Sequence, residues 1–456
     1  MRTRTHAKSL ALGATCALLF TLVVIIASAE MLGPGTAAAS QNKSSAQNTS
    51  APACQSLACY LRQSYLGLLK ESPDAHFAPT EVGAERENIE RSRKACEAAL
   101  QSEKSAPTAA GAASSASASG GNALGAHCGL VDVRPLEGRT SFLAGQLLPA
   151  IYDNIETRLS ILANWPADHQ ALRASLNSGS YASRRWGDVQ DIGFRTIAPH
   201  QQDDIQLGRD IVRRLRDARL LPGLLDDDKV DYYVRSVAVR VAAHSDLRIP
   251  LHVAVLDSDE ANAFSFPGGY LFIERGLLQA ADDEAELAGV IGHEIAHSAA
   301  RQAKELLRGQ SAEAIAEEIS RRAATSFADR PGPQTSAAFQ HGPFGLGAVM
   351  DLKLLGVTPE NELRADRLGI QYAWSAGYDP SGFLRFFDKM AQAGYGPGLS
   401  WLRTHPPSYQ RIVGAERETQ YLPEKLNAVK QTASFGDMQN ELVQRAGKAA
   451  QAAPSN

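Results

Sequence analysis

The stretch His293-Glu294-Ile295-Ala296-His297 constrains this chain more than any other. It sits in a helical pattern opened by Asp282-Asp283-Glu284 and carried on by Leu287, Val290, Ile291 and Ile295. Residues four apart on a helix lie one turn above each other on the same face, so both imidazoles can reach one metal ion. Glu294 stands about 100° further around the helix. That places it beside such an ion rather than on it, where it can take a proton from a water that zinc activates. Ile295 points away and can anchor the helix in a core. The run Ala288-Gly289-Val290-Ile291-Gly292 ahead of the motif is small and apolar, whereas a solvated face would carry charge there. That context favours a zinc helix over a chance match.

Two histidines need a third protein ligand, with water in the fourth position. The downstream candidates are His341, His405 and the acids of a helix that Pro359 opens and that runs through Trp374. A metzincin is excluded, because Ala300 and Ala303 occupy its glycine and third-histidine positions. Glu362 and Asp366 lie four apart on one helical face. Glu362 can therefore bind the metal, and Asp366 can accept the free ring N–H of a ligating histidine. On spacing alone, the alternative is an acidic pair on an exposed helix.

Charge narrows the partners. Lys plus Arg number 46 against 50 Asp plus Glu, a net charge of −4, which leaves no electrostatic footprint for nucleic acid. All five cysteines (Cys16, Cys54, Cys59, Cys96 and Cys128) fall in the first 128 residues. Arg2, Arg4 and Lys8 precede a chargeless stretch from Ser9 to Ala29 that ends in the small-residue site Ala27-Ser28-Ala29. Residues 1–29 thus read as a secretory signal peptide, with a retained membrane anchor as the alternative. Export permits disulfides, and two structural bridges among the four remaining cysteines are expected.

The rest divides by composition. Residues 30–53 read as a linker, 54–104 as a helical cysteine-containing segment and 105–127 as an Ala/Ser/Gly tether. Residues 128–199 are mixed and without an assigned role, and carry a helix around 142–163. Residues 200–436 form the candidate peptidase domain, and 437–456 read as a polar, frayed tail. Within the domain, Leu207, Ile211 and Leu215 mark one amphipathic helix, and Val230, Val234, Val237 and Val241 mark another. Leu251, Val253 and Val255 alternate as a strand, a second strand (Tyr270–Ile273) follows the turn Pro267-Gly268-Gly269, and residues 299–327 continue helical. The fold class is α+β, mainly helical, with a small β-sheet.

Four ordered segments resemble the membrane-associated zinc metalloproteases that include HtpX, the CAAX prenyl proteases and the periplasmic protease-chaperone BepA. They are Asn262-Ala263-Phe264-Ser265-Phe266-Pro267-Gly268-Gly269-Tyr270, the zinc helix Glu286–His297, Glu362-Leu363-Arg364-Ala365-Asp366, and Thr404-His405-Pro406-Pro407-Ser408 with Arg411. The resemblance covers about residues 200–420 and implies a gluzincin-like domain. By it, His293, His297 and Glu362 bind one Zn2+, Glu294 is the general base and Asp366 supports a ligand. Asn262, Ala263 and Phe264 would belong to the edge strand that aligns an extended substrate. His405 is a switch or a transition-state donor, or else a helix-start residue before Pro406, and Arg411 a candidate for stabilising the oxyanion.

The implied activity is a zinc metalloendopeptidase of envelope protein quality control, with unfolded or misfolded proteins as substrates. The rival is a chaperone-like or latent protease whose zinc His405 caps. Two departures from the family stand out. No later run is apolar enough for its membrane spans, and no helical-repeat domain follows the match.

Overall fold

The computed structural model describes residues 56–74, 77–105, 141–183, 200–302, 311–326, 357–392 and 398–452, together with Cys128 and Leu136. The signal or anchor segment, the linker, most of the tether and His341 lie outside these residues. No described helix is long and apolar enough to cross a membrane. The chain from Cys54 to Asn456 forms one compact unit.

Four helices lead. They are α1 (Leu57–Tyr60), α2 (Tyr65–Glu71), α3 (Pro79–Ser105) and α4 (Ser141–Ser178). The expected helix near 142–163 is thus the first part of a 38-residue helix that runs on past Pro166. Leu147, Leu148, Ile151, Leu159, Leu162, Trp165 and Leu172 give it a buried stripe over its whole length. Cys96 of α3 is bridged to Cys128, and Cys59 is also disulfide-bonded. Cross-links suit helices that bury little surface by themselves.

The candidate peptidase segment opens with α5 (Asp204–Asp217) and α6 (Asp228–Ala243). Asp227 caps α6 by accepting the Lys229 and Val230 N–H groups, and Val230, Val234, Val237 and Val241 are buried as their spacing requires. The sheet comprises β1 (His252–Leu256), β2 (Ala263–Phe266) and β3 (Tyr270–Glu274) in the order β1-β3-β2. β3 runs parallel to β1 and antiparallel to β2, so β2 is an edge strand. Gly268 and Gly269, at φ +83° and +82°, make the β2–β3 turn that other residues resist.

After α7 (Arg275–Ala280) comes α8 (Glu284–Ala299), which carries His293, Glu294 and His297. Its cap Asp283 accepts Glu286 N–H at 2.9 Å, and Glu286 reaches back to accept Asp282 N–H at 2.9 Å. Every residue of α8 is buried, so it has no solvated face. The helix stops at Ala299 rather than continuing through 327, because Arg301 adopts φ +56° and turns the chain. Helix α9 (Ala312–Ser326) follows.

Helix α10 (Pro359–Ser375) is capped by Thr358, which accepts Asn361 N–H at 3.2 Å. It lies directly on α8. A Cβ on Gly292 would stand 2.6 Å from Gly369 O, and one on Gly369 would stand 2.5 Å from His293 N. Only glycine at both positions lets the two backbones approach this closely. Helices α11 (Gly382–Gln392), α12 (Gly398–Thr404) and α13 (Tyr409–Tyr421) complete the wall behind α8 and α10. The frayed tail expected at 437–456 is instead largely helical, within α14 (Ala433–Ala452). Phe435, Met438 and Leu442 pin α14 to the core, a sparse apolar repeat that the polar composition masks.

Candidate metal centre

The Gly292–Gly369 contact brings the α8 histidines against the first turns of α10. His293 Nε2 and His297 Nε2 face each other at 3.0 Å. Glu362 closes the triangle, with Oε1 at 3.1 Å from His297 Nε2 and Oε2 at 3.5 Å from His293 Nε2. Ligand atoms around a tetrahedral zinc lie about 3.3 Å apart, because each bond is about 2.0–2.1 Å long. His405 joins the group, and one ligand atom from each of the four residues fits within 4.8 Å.

Charge agrees with that geometry. Glu294, Glu362 and Asp366 are buried carboxylates, and Arg411 is the buried cation set against them. Carboxylates outnumber the buried guanidinium there, an imbalance that a bound cation would offset. Burial would raise the Glu362 carboxyl, but Arg411 first, then the histidines, hold it well below the usual carboxylate range. Asp366 is likewise lowered against burial, chiefly by Arg411. Burial pushes the His293 imidazole down, yet Glu362 and Asp366 reverse this and lift it to about 9. A divalent ion would displace that proton. Residues and charges therefore fit a zinc ion.

Other polar groups orient these candidate ligands. His293 Nδ1 lies 2.9 Å from Asp366 Oδ1, and His297 Nδ1 lies 2.6 Å from Gln302 Oε1. Gln302 has no counterpart in the sequence reading; its only sequence signal is its place five residues past His297. Glu294 Oε1 is buried and makes no hydrogen bond, with His405 Nε2 standing 3.4 Å from it. The opposite ring nitrogen of His405 lies 3.2 Å from Glu362 Oε2, while Nε2 is also 3.2 Å from Ala263 O.

Arg411 is committed to the carboxylates. Its guanidinium grips Asp366 through two bonds of 2.7 Å, donates to Pro406 O at 2.8 Å and lies 2.9 Å from Glu362 Oε2. It faces the carboxylates from behind α10 and does not line the cleft that Glu294, His297 and His405 share with β2. The contacts that the structure shows for Arg411 are thus with carboxylates and with Pro406 O.

The edge strand borders that cleft through Phe264, Ser265 and Phe266. Asn262 O accepts Glu274 N–H at 3.0 Å, so in this antiparallel register Asn262, Phe264 and Phe266 turn their backbone groups towards β3. Ala263 and Ser265 turn theirs to the free edge. Ser265 is thus brought to the edge, while Asn262 instead accepts a bond from Thr404 Oγ1 at 2.9 Å.

The comparisons with known proteins fall on this same segment. The model of "Peptidase family M48" matches residues 228–419. Those residues are similar to an M48 peptidase domain. The "Beta-barrel assembly-enhancing protease" of Escherichia coli K12 is 30% identical over 217 residues, which cover 46% of this chain and 43% of the relative. The protein of that name from Yersinia pestis is 29% identical over 259 residues, covering 55% and 51%. The "Mitochondrial metalloendopeptidase OMA1" of Schizosaccharomyces pombe is 31% identical over 197 residues, covering 42% and 53%. The chain thus spans about half the length of the curated relatives it matches. An M48 domain implies a metal ion, and the cluster of His293, His297, Glu362 and His405 can hold one.

Proposed function

We propose that the protein is a zinc metalloendopeptidase of the cell envelope that cleaves unfolded or misfolded proteins. The observation that carries this reading is the convergence of His293, His297 and Glu362 beside the unbonded Oε1 of Glu294. When bound, zinc would make a water nucleophilic near neutral pH and polarise the scissile carbonyl. His293, His297 and Glu362 would hold it, with Asp366 and Gln302 fixing the two imidazoles.

Glu294 is the general base. Its Oε1 takes the proton of the attacking water and passes it to the leaving amine. Ser265, with Ala263 beside it, offers edge-strand backbone groups to an extended substrate, which adds as a further strand. Such recognition reads backbone rather than side chains, and so suits unfolded chains. His405 stands where it can donate to an oxygen between Glu294 and β2, and it holds Ala263 O meanwhile. The comparisons lend no support to the capped, chaperone-like alternative, since the relatives bear protease names.

An exported location fits the disulfide between Cys96 and Cys128, because such bonds persist in oxidising compartments. The test compares casein cleavage by the zinc-loaded wild type and Glu294→Gln. We expect a loss of about a thousandfold with zinc retained. Equal cleavage by the two proteins would end the peptidase reading.

A further inference from the structure

Helices α2 and α4 lie outside the matched residues 228–419, yet they grip the helices that back the metal centre. Asp388, on α11 and 4% exposed, accepts Tyr65 N–H at 2.6 Å at the amino end of α2. One turn further along α11, Asn154 of α4 donates to Ala391 O at 2.9 Å, and Tyr65 Oη donates to Asn154 Oδ1 at 2.6 Å. Arg403 of α12 donates to Gln146 Oε1 of α4 at 3.1 Å. Tyr409 of α13 donates to Asp168 of α4 at 2.6 Å.

The inner faces of these three helices touch the site. Phe383 of α11 stacks on the His293 ring at 5.2 Å and 12°. Trp401 of α12 lies 4.1 Å from the His405 ring, and Phe387 of α11 lies 4.8 Å beneath the Arg411 guanidinium. The links from α2 and α4 named above therefore end on the helices that carry Phe383, Phe387, Trp401 and Arg411.

We propose that α2 and α4 brace the metal centre, with Asp388 as the positioning residue that sets α11 against His293 and Arg411. This rests on the reading of His293 as a zinc ligand. Buried hydrogen bonds are directional, so they fix where α11 lies as well as how firmly it is held. A shift of about 1 Å in the groups around a reacting centre can cost about a hundredfold in rate.

The test uses the full chain and measures zinc affinity by chelator competition, with kcat and KM on a casein-derived peptide. Each variant is assayed well below its own unfolding midpoint. Asp388→Ala should lower both zinc affinity and kcat by about tenfold or more, with KM nearly unchanged. Asp388→Asn should restore most of both, because asparagine caps a helix about as well as aspartate. Arg86→Ala is the control. It removes a surface ion pair between α3 and Glu156 of α4 without touching α11, and it should change neither.

The brace is overturned if folded Asp388→Ala keeps wild-type zinc affinity and kcat, or if Arg86→Ala loses as much. Should Asp388→Ala not fold, Gln146→Ala takes its place, with a loss of about threefold in zinc affinity expected and no loss contradicting the proposal. Zinc affinity needs no substrate. If the wild type cleaves nothing, the peptidase reading fails while the affinity measurement still decides the brace.

Discussion

The metal centre and the front helices are assembled from contacts of opposite kinds. In α8 the paired histidines are four residues apart, and α10 supplies two carboxylates with the same spacing. The front helices meet the rest of the protein through pairs such as Tyr65 and Asp388, 323 residues apart. The first kind of contact is fixed by helix geometry before tertiary structure forms. The second exists only once α11 and α2 have docked. The spacing of the paired groups within α8 and within α10 is local in sequence, and their support is not.

The largest expected effect separates the two regions outright. Glu362→Ala removes a ligand and leaves Arg411 with one carboxylate fewer, so zinc stoichiometry should fall to near zero and cleavage by about a thousandfold or more. Metal analysis and casein digestion would check both. Loss of zinc at a similar level in Tyr65→Phe would erase the distinction between centre and support.

Breaking the Cys96–Cys128 bridge tests the other region. It closes 32 residues of sequence separation, and its removal should cost about 3–4 kcal/mol in the chain-entropy account. Denaturant unfolding of Cys96→Ser with Cys128→Ser reads that cost, and zinc affinity should move much less.

Acidity provides a third separation. In the metal-free protein His293 holds its proton up to about pH 9. Its folded pKa lies above the unfolded value, so its stabilisation is full below about pH 6.5 and disappears as pH rises through about 9. Glu362 and Asp366 are depressed, so their stabilisation is present above about pH 4 and lost as pH falls further. Zinc must displace the His293 proton. Its affinity should therefore rise by about tenfold per pH unit until about pH 9 and then flatten, as competition titrations would show. A flat profile would remove His293 from the ligand set.

The smallest effect concerns the placement of α10. Thr358→Ala deletes its cap and should cost about 1 kcal/mol in denaturant unfolding, with zinc stoichiometry intact.

This division explains what could be read from the sequence. The zinc helix, the Glu362–Asp366 face, the valine face of α6 and two of the strands follow from spacing and turn residues. Gln302, Phe383 and Trp401 did not stand out, because a hydrogen-bonding amide and aromatic rings serve any core equally well. Trp401 does lie four residues before His405, a spacing that places both rings on one side of the α12 turn. The charge of Arg411 near a catalytic motif carries no sign of which way it points, so its pairing with Glu362 and Asp366 is not legible in the sequence. The full length of α4 is not legible in the sequence because Pro149 and Pro166 usually mark helix ends, and here burial along the helix outweighs them. Helix α14 was hidden by its Ala- and Gln-rich composition for the same reason.

X-ray absorption on the zinc-loaded full chain tests the central claim most directly. The account predicts two imidazole nitrogens and oxygen ligands at about 2.0–2.1 Å, with no sulfur, and collapse of this shell in Glu362→Ala. A sulfur at about 2.3 Å, or an unchanged shell in that variant, would contradict it.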